Sequence, residues 1–101
     1  MRVKLPFVYI LASHKNGTLY VGVTSYPAKR IHEHKEGIVD GFTEEYGVKT
    51  LVYYEVHESM ESAIKKEKRL KKWNRDWKIE LIEKMNPEWN DLYGDITGDE
   101  E

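Results

Sequence analysis

The sequence has no cysteine among its 101 residues. That lack removes disulfides, thiolate zinc sites and cysteine nucleophiles from consideration, and it agrees with a reducing compartment. No apolar run comes near the roughly 18 residues that a membrane-spanning helix needs, and the N-terminus has no signal-peptide pattern. A cytoplasmic protein is therefore expected. No internal repeat or linker is visible. With a net charge of -2, the chain also lacks the basic excess that phosphate neutralisation calls for. The distribution of charge matters more than its sum. Lys65, Lys66, Lys68, Arg69, Lys71, Lys72, Arg75 and Lys78 crowd one region, whereas Asp91, Asp95, Asp99, Glu100 and Glu101 load the C-terminal end. The body is thus more basic than the total implies, although a solvated lysine face is the ordinary reading of such a run.

What is present suits one small domain: 40% of residues are hydrophobic and 12% aromatic, enough for one modest core. Phe7 to Ser13 and Leu19 to Thr24 are runs of strand formers that flank Asn16-Gly17, the signature of a tight type I′ hairpin turn. A two-residue turn there pairs Lys15 with Thr18, Ser13 with Tyr20 and Leu11 with Gly22. Side chains alternate along each strand. Tyr9, Leu11, Ser13, Tyr20, Gly22 and Thr24 then share one face, and Val8, Ile10, Ala12, Leu19, Val21 and Val23 share the other. The second face is the expected core side. The first is expected to present both tyrosines to a ligand, with Gly22 leaving room between them.

Further along, Ser25-Tyr26-Pro27 predicts the start of a helix from Pro27 to Lys35 that stacks Arg30 and His34 on one face. A helical turn is expected at Thr43 to Tyr46, then a third strand over Thr50 to Val56 whose apolar character suggests a central position. Ser59 caps a helix with an inward face of Met60, Ala63, Ile64, Glu67 and Leu70. A carboxylate at position 67 in that apolar stripe costs stability unless something pairs with it, which marks Glu67 for function. A break near Asn74 and a second helix over Asp76 to Lys84 follow. Residues 1–93 are expected to form the domain, and 94–101 an acidic, disordered tail.

Phe7-Val8-Tyr9 and Tyr20-Val21-Gly22 resemble the paired tripeptides that name the GIY-YIG nuclease family, with Arg30 downstream and Glu67 on a later helix as in that family. Phe7 stands where the name calls for glycine. The resemblance covers nearly the whole chain except the acidic tail and is closest to the small stand-alone members. It implies an α+β fold, a compact three-stranded sheet with an N-terminal hairpin flanked by helices, and a metal-dependent endonuclease acting on DNA. By that resemblance Tyr9, Tyr20, Arg30, His34 and Glu67 are catalytic, and Glu67 holds Mg²⁺ or Mn²⁺ weakly until substrate arrives. One tyrosine activates water, with Tyr20 favoured. Arg30, Lys65, Lys68, Arg69 and Lys72 are the expected nucleic-acid contacts, with Gly22 and Asn90 in support. Glu44 and Glu45 stand where basic residues are expected in the small members. Two other readings stay open: a non-catalytic nucleic-acid-binding module of the same fold, and a protein-interaction domain. Substrate structure, oligomeric state and any protein partner are not readable from the sequence.

Overall fold

The computed structural model describes residues 4–38 and 41–97. In chain order the elements are β1 (Phe7–Ala12), β2 (Leu19–Thr24), α1 (Pro27–Lys35), α2 (Gly41–Tyr46), β3 (Thr50–Val56), α3 (Met60–Lys72), α4 (Arg75–Met85) and α5 (Tyr93–Thr97). This is the expected α+β arrangement. The strands form one antiparallel sheet in the order β2-β1-β3. All six residues of β1 are buried, as a strand covered on both faces requires, and its sequence is correspondingly apolar throughout. The central position expected for β3 therefore belongs to β1. At the edge, β3 is buried only over Leu51 to Tyr53, and Val56 is exposed.

Each face of the sheet carries its own core. On one side Val8, Ile10, Ala12, Val21 and Val52 pack with Ala63 and Leu70 of α3, Ile82 of α4 and Trp89. On the other, Phe7, Tyr9, Leu11 and Leu51 pack with Ile31 of α1 and Val48, and Tyr20, Tyr54, Leu92, Tyr93 and Ile96 close over them. The tyrosine side of the hairpin is thus a second core, where the sequence suggested an open face. Phe7, in the place of the name-giving glycine, is 1% exposed and stacks on Tyr54 with ring centroids 5.2 Å apart.

The hairpin register differs from the two-residue turn by two positions. Tyr9 faces Gly22 and Leu11 faces Tyr20. Residues His14 to Gly17 form the loop, closed by Gly17 N–H to His14 O at 2.8 Å and Ser13 N–H to Thr18 O at 3.0 Å. Asn16 adopts φ 63° but Gly17 does not join it in the left-handed region, so a type I′ pair cannot form. Three other bonds favour the longer loop. The Ser13 hydroxyl accepts the Thr18 amide at 2.9 Å, and the Arg75 guanidinium donates to the carbonyls of Asn16 and Gly17, both at 2.6 Å. Because side chains alternate with a period of two, a slip of two leaves every one on its expected face.

The helices keep close to their expected limits. Ser59 accepts the Ser62 amide at 3.1 Å and Asn74 accepts the Trp77 amide at 2.9 Å, so both caps satisfy N–H groups that the helix leaves free. The inward stripe of α3 is narrower than expected, with Ala63, Glu67 and Leu70 buried and Ile64 37% exposed. Order also runs beyond the expected boundary at residue 93. Asp91 accepts the Leu51 and Tyr93 amides at 3.2 and 3.1 Å, and Leu92 N–H donates to Leu51 O at 2.7 Å. Those bonds fasten α5 to the start of β3, so residues 94–97 belong to the domain. Residues 98–101 of the expected tail lie outside the described residues. Among the described residues no helix is long and apolar enough to cross a membrane.

Candidate active site

The site is built on the close approach of Tyr9 to Gly22. A Cβ at position 22 would stand 2.4 Å from both Cζ and Oη of Tyr9, so only glycine lets that ring cross β2. Gly22 therefore makes room beneath Tyr9, not between the two tyrosines as the shorter turn suggested. The ring then reaches α1, where Tyr9 Oη lies 2.9 Å from His34 Nε2. His34 Nδ1 is 3.3 Å from Thr43 Oγ1 on α2. This chain is enclosed, with Tyr9 1%, His34 2% and Thr43 0% exposed. Tyr20 completes the cluster. Its ring centroid is 5.3 Å from that of His34 and 6.4 Å from that of Tyr9, and it is only half-buried.

Arg30 lies one helical turn before His34, with its side chain 43% exposed and NH1 3.5 Å from Glu33 Oε1. It lines a cleft of about 370 Å³ with Val23, Thr24, Ser25, Tyr26, Lys29 and Glu33, at the C-terminal end of β2. Glu33 ion-pairs with Lys29 as well. The Lys29 hydrogen bond is the main cause that holds its carboxyl below the ordinary value, and the charges of Lys29, Arg30 and His34 act in the same sense against burial. Glu33 is not among the site residues expected from the sequence, although its spacing of three and four from Arg30 and Lys29 is the signal for such a pair.

Glu67 stands apart from this group. Its neighbours on α3, Ala63 and Leu70, pack into the core on the far side of the sheet from Tyr9. Its Oε2 is 2.7 Å from Lys71 Nζ, which answers the question of what offsets a carboxylate in that stripe. The two halves meet at β2, because α3 packs on that strand while Tyr20 and Gly22 of the same strand face α1. The structure thus brings Tyr9, Tyr20 and His34 into contact, places Arg30 one helical turn before His34 on α1, and seats Glu67 on α3, the helix that packs on β2. As a metal donor set the residues offer one carboxylate. Among the described residues no three His, Asp or Glu side chains cluster for a metal. A single hard oxygen donor fits Mg²⁺ or Mn²⁺ that keeps most of its waters and completes its shell from substrate, and fits no tightly caged ion.

The basic residues of α3 sort by partner. Lys66 pairs with Glu55 at 2.9 Å, Lys71 with Glu67, and Lys65 with Glu61 at 3.7 Å. Lys68, Arg69 and Lys72 are exposed and have no ion pair among the described residues. Asn90 presents only its backbone to the structure, donating to Asn86 Oδ1 at 3.0 Å and accepting from Asn86 Nδ2 at 2.8 Å. Asn86 is the buried member. It is 4% exposed, and Nδ2 also reaches Val52 O at 3.1 Å. Its place just before Pro87 at the end of α4 was the available signal.

An antiparallel three-stranded sheet whose edge hairpin carries two tyrosines against a helix bearing arginine and histidine defines a recognisable class of small domain. The family model described as the GIY-YIG catalytic domain matches residues 5–80, and the chain belongs to the GIY-YIG nuclease family. It is similar to a UPF0213 protein of Clostridium perfringens, 38% identical over 76 residues that cover 75% of this chain and 81% of the relative. A UPF0213 protein of Syntrophus aciditrophicus is 37% identical over 83 residues, covering 81% and 93%. One of Staphylococcus aureus is 33% identical over 76 residues, covering 75% and 92%. No solved structure matches the chain.

Proposed function

We propose that this protein is a DNA endonuclease that hydrolyses phosphodiester bonds with the help of Mg²⁺ or Mn²⁺. The observation that carries the reading is the buried Tyr9–His34 hydrogen bond, with Tyr20 packed against it and Arg30 one turn away at the open end of β2. Tyr20 is the tyrosine that water and phosphate can reach, and it takes the role of activating or orienting the attacking water. A tyrosine hydroxyl with an ordinary pKa of about 10 is a poor base unless positive charge stands near it. Arg30 supplies that charge and grips a phosphate oxygen pair through its planar fork. Tyr9 is enclosed and acts by fixing the His34 ring against Tyr20. Glu67 would hold the metal, which when bound polarises the phosphate and stabilises the leaving oxygen.

The substrate strand runs along the free edge of β2, between the Arg30 cleft and Lys65, Lys68, Arg69 and Lys72 of α3. These are phosphate contacts, so selection is by strand or structure more than by base sequence. DNA repair, recombination or processing in the cytoplasm is the fitting role. The test is a panel of labelled single-stranded, nicked, flap and duplex DNAs with and without Mg²⁺, run beside Tyr20→Phe and Glu67→Gln. Metal-dependent cleavage lost in both variants supports the reading. Salt-sensitive binding without cleavage would make the protein a binding module, and binding to none of the DNAs would end the nucleic-acid reading.

A further inference from the structure

The C-terminal end of β3 and the first turn of α3 share a chain of polar bonds that the nuclease reading does not use. His57 Nε2 is 2.7 Å from Glu55 Oε1, and His57 Nδ1 is 2.6 Å from Ser62 Oγ. The second oxygen of Glu55 accepts from Tyr53 Oη and from Lys66 Nζ, the latter at 2.9 Å. A carboxylate can only accept, so Nε2 carries the imidazole proton and Nδ1 turns its lone pair to the Ser62 hydroxyl. Ser62 and His57 line a cleft of about 460 Å³ together with Ser59, Glu61, Lys65, Lys66 and Arg69. Hydroxyl, imidazole and carboxylate are in series at hydrogen-bonding distance, and Ser62 and His57 stand on the wall of the cleft. That is the arrangement by which a serine is activated, recognised by geometry and not by position in a sequence.

The geometry points to a second catalytic centre, in which Ser62 is the nucleophile, His57 the general base and Glu55 the orienting carboxylate, acting on small carboxylic esters that carry an anionic group. Lys65 and Arg69 stand on the cleft wall to receive that anion. As the Ser62 Oγ–carbonyl carbon bond forms, His57 Nδ1 takes the hydroxyl proton. Collapse of the tetrahedral species breaks the ester C–O bond, and His57 returns the proton to the departing alkoxide. Water then attacks the acyl-serine by the same proton path and releases the acid, so one ester and one water give one acid and one alcohol. Glu55 is fit for its part because it stays ionised. Burial works against its charge, but hydrogen bonds from Tyr53, Lys66 and His57 outweigh burial and hold its carboxyl below the ordinary value.

A fluorophosphonate probe and two chromogenic esters, 4-nitrophenyl acetate and 4-nitrophenyl hydrogen succinate, test the assignment on the full chain. Peptide mapping is expected to place the phosphonate on Ser62. Ester turnover should fall on the order of 100-fold in Ser62→Ala and His57→Gln, with succinate preferred to acetate in the parent and the preference lost in Arg69→Ala. Ser62→Ala gives up one exposed hydroxyl and its bond to His57, so the variant should stay folded and its DNA cleavage should equal the parent's. Labelling or turnover that is the same in the parent and in folded Ser62→Ala overturns the centre, as does phosphonate found on another residue. A failure of DNA cleavage in the parent would not bear on it.

Discussion

A methyl group has nowhere to go at position 22. With its ideal Cβ 2.4 Å from the end of the Tyr9 ring, Gly22→Ala must displace that ring and with it the His34 bond. Overpacking of this kind costs about 1–3 kcal/mol. A lowered melting temperature accompanied by loss of DNA cleavage is expected, and an unchanged melt would show that the ring does not cross β2. The two asparagines of the α4–α5 connection offer a second contrast. Asn86→Ala strips buried partners from Val52 O and from the backbone of Asn90, and should cost about 1–3 kcal/mol. Asn90→Ala removes an exposed side chain and should stay within about 0.5 kcal/mol in a denaturant titration. At this scale the conflict of a carboxylate in the apolar stripe of α3 was legible, and the structure answers it with the Lys71 ion pair to Glu67. Thr43 and Asn86 escaped because each owes its role to a partner that only the fold brings near, and Glu33 because its spacing from Lys29 and Arg30 is that of any surface helix pair.

Elements from β1 to α4 were legible in kind and extent and less so in their placement, while α5 falls where a disordered tail was expected. The faces of the hairpin follow from alternation alone and survive a wrong turn, whereas the register depends on a serine hydroxyl and on Arg75, 59 positions from Asn16, neither of which a dipeptide signal contains. Likewise β3 and β1 are both apolar runs, and only the length of the fully buried stretch separates centre from edge. Two predictions belong to α3. If DNA lies on its outer face, Lys68→Ala and Lys72→Ala should each weaken binding and flatten its salt dependence by about 0.9 in the log–log slope for duplex. Lys66→Ala, whose ammonium is already committed to Glu55, should change the slope less. The second concerns acid. The Glu55 carboxyl titrates lower in the fold than its ordinary value of 4.5, so it stabilises the fold above that pH, and the contribution fades as pH falls through the folded value. Melting temperature should therefore drop with acidification below about pH 4.5, and Glu55→Gln should make that drop shallower. Parallel melts of the two proteins across acid pH decide it.

The whole molecule is a sheet between two cores, and the segment matched by the family model stops before both are complete. Residues 5–80 include β1 to β3 and most of α4, but Ile82 and Trp89 finish one core, and Leu92, Tyr93 and Ile96 finish the other. Lys35 reaches across to Asp91, tying that closure to the helix that carries His34. Ending the chain after Asn90 should thus loosen the tyrosine side while leaving the α3 side covered. Each kcal/mol lost lowers the melting temperature by about 4–8 °C in a domain of this size, and a truncated protein that melts with the parent would make α5 dispensable. How such a melt is watched then matters. Trp89 is 5% exposed, Trp73 is half-buried on the same core, and Trp77 meets Trp73 edge to face with centroids 5.8 Å apart. All three indoles therefore sit on the α3–α4 side, while the opposite side is furnished with Tyr9, Tyr20, Tyr54 and Tyr93 and contains no tryptophan among its packed residues. Intrinsic emission excited at the red edge will follow one layer of this protein and be blind to the first opening of the other. Phenol circular dichroism or ring-proton NMR will see that opening, and a gap between the two signals is the optical signature of a domain whose halves let go in turn.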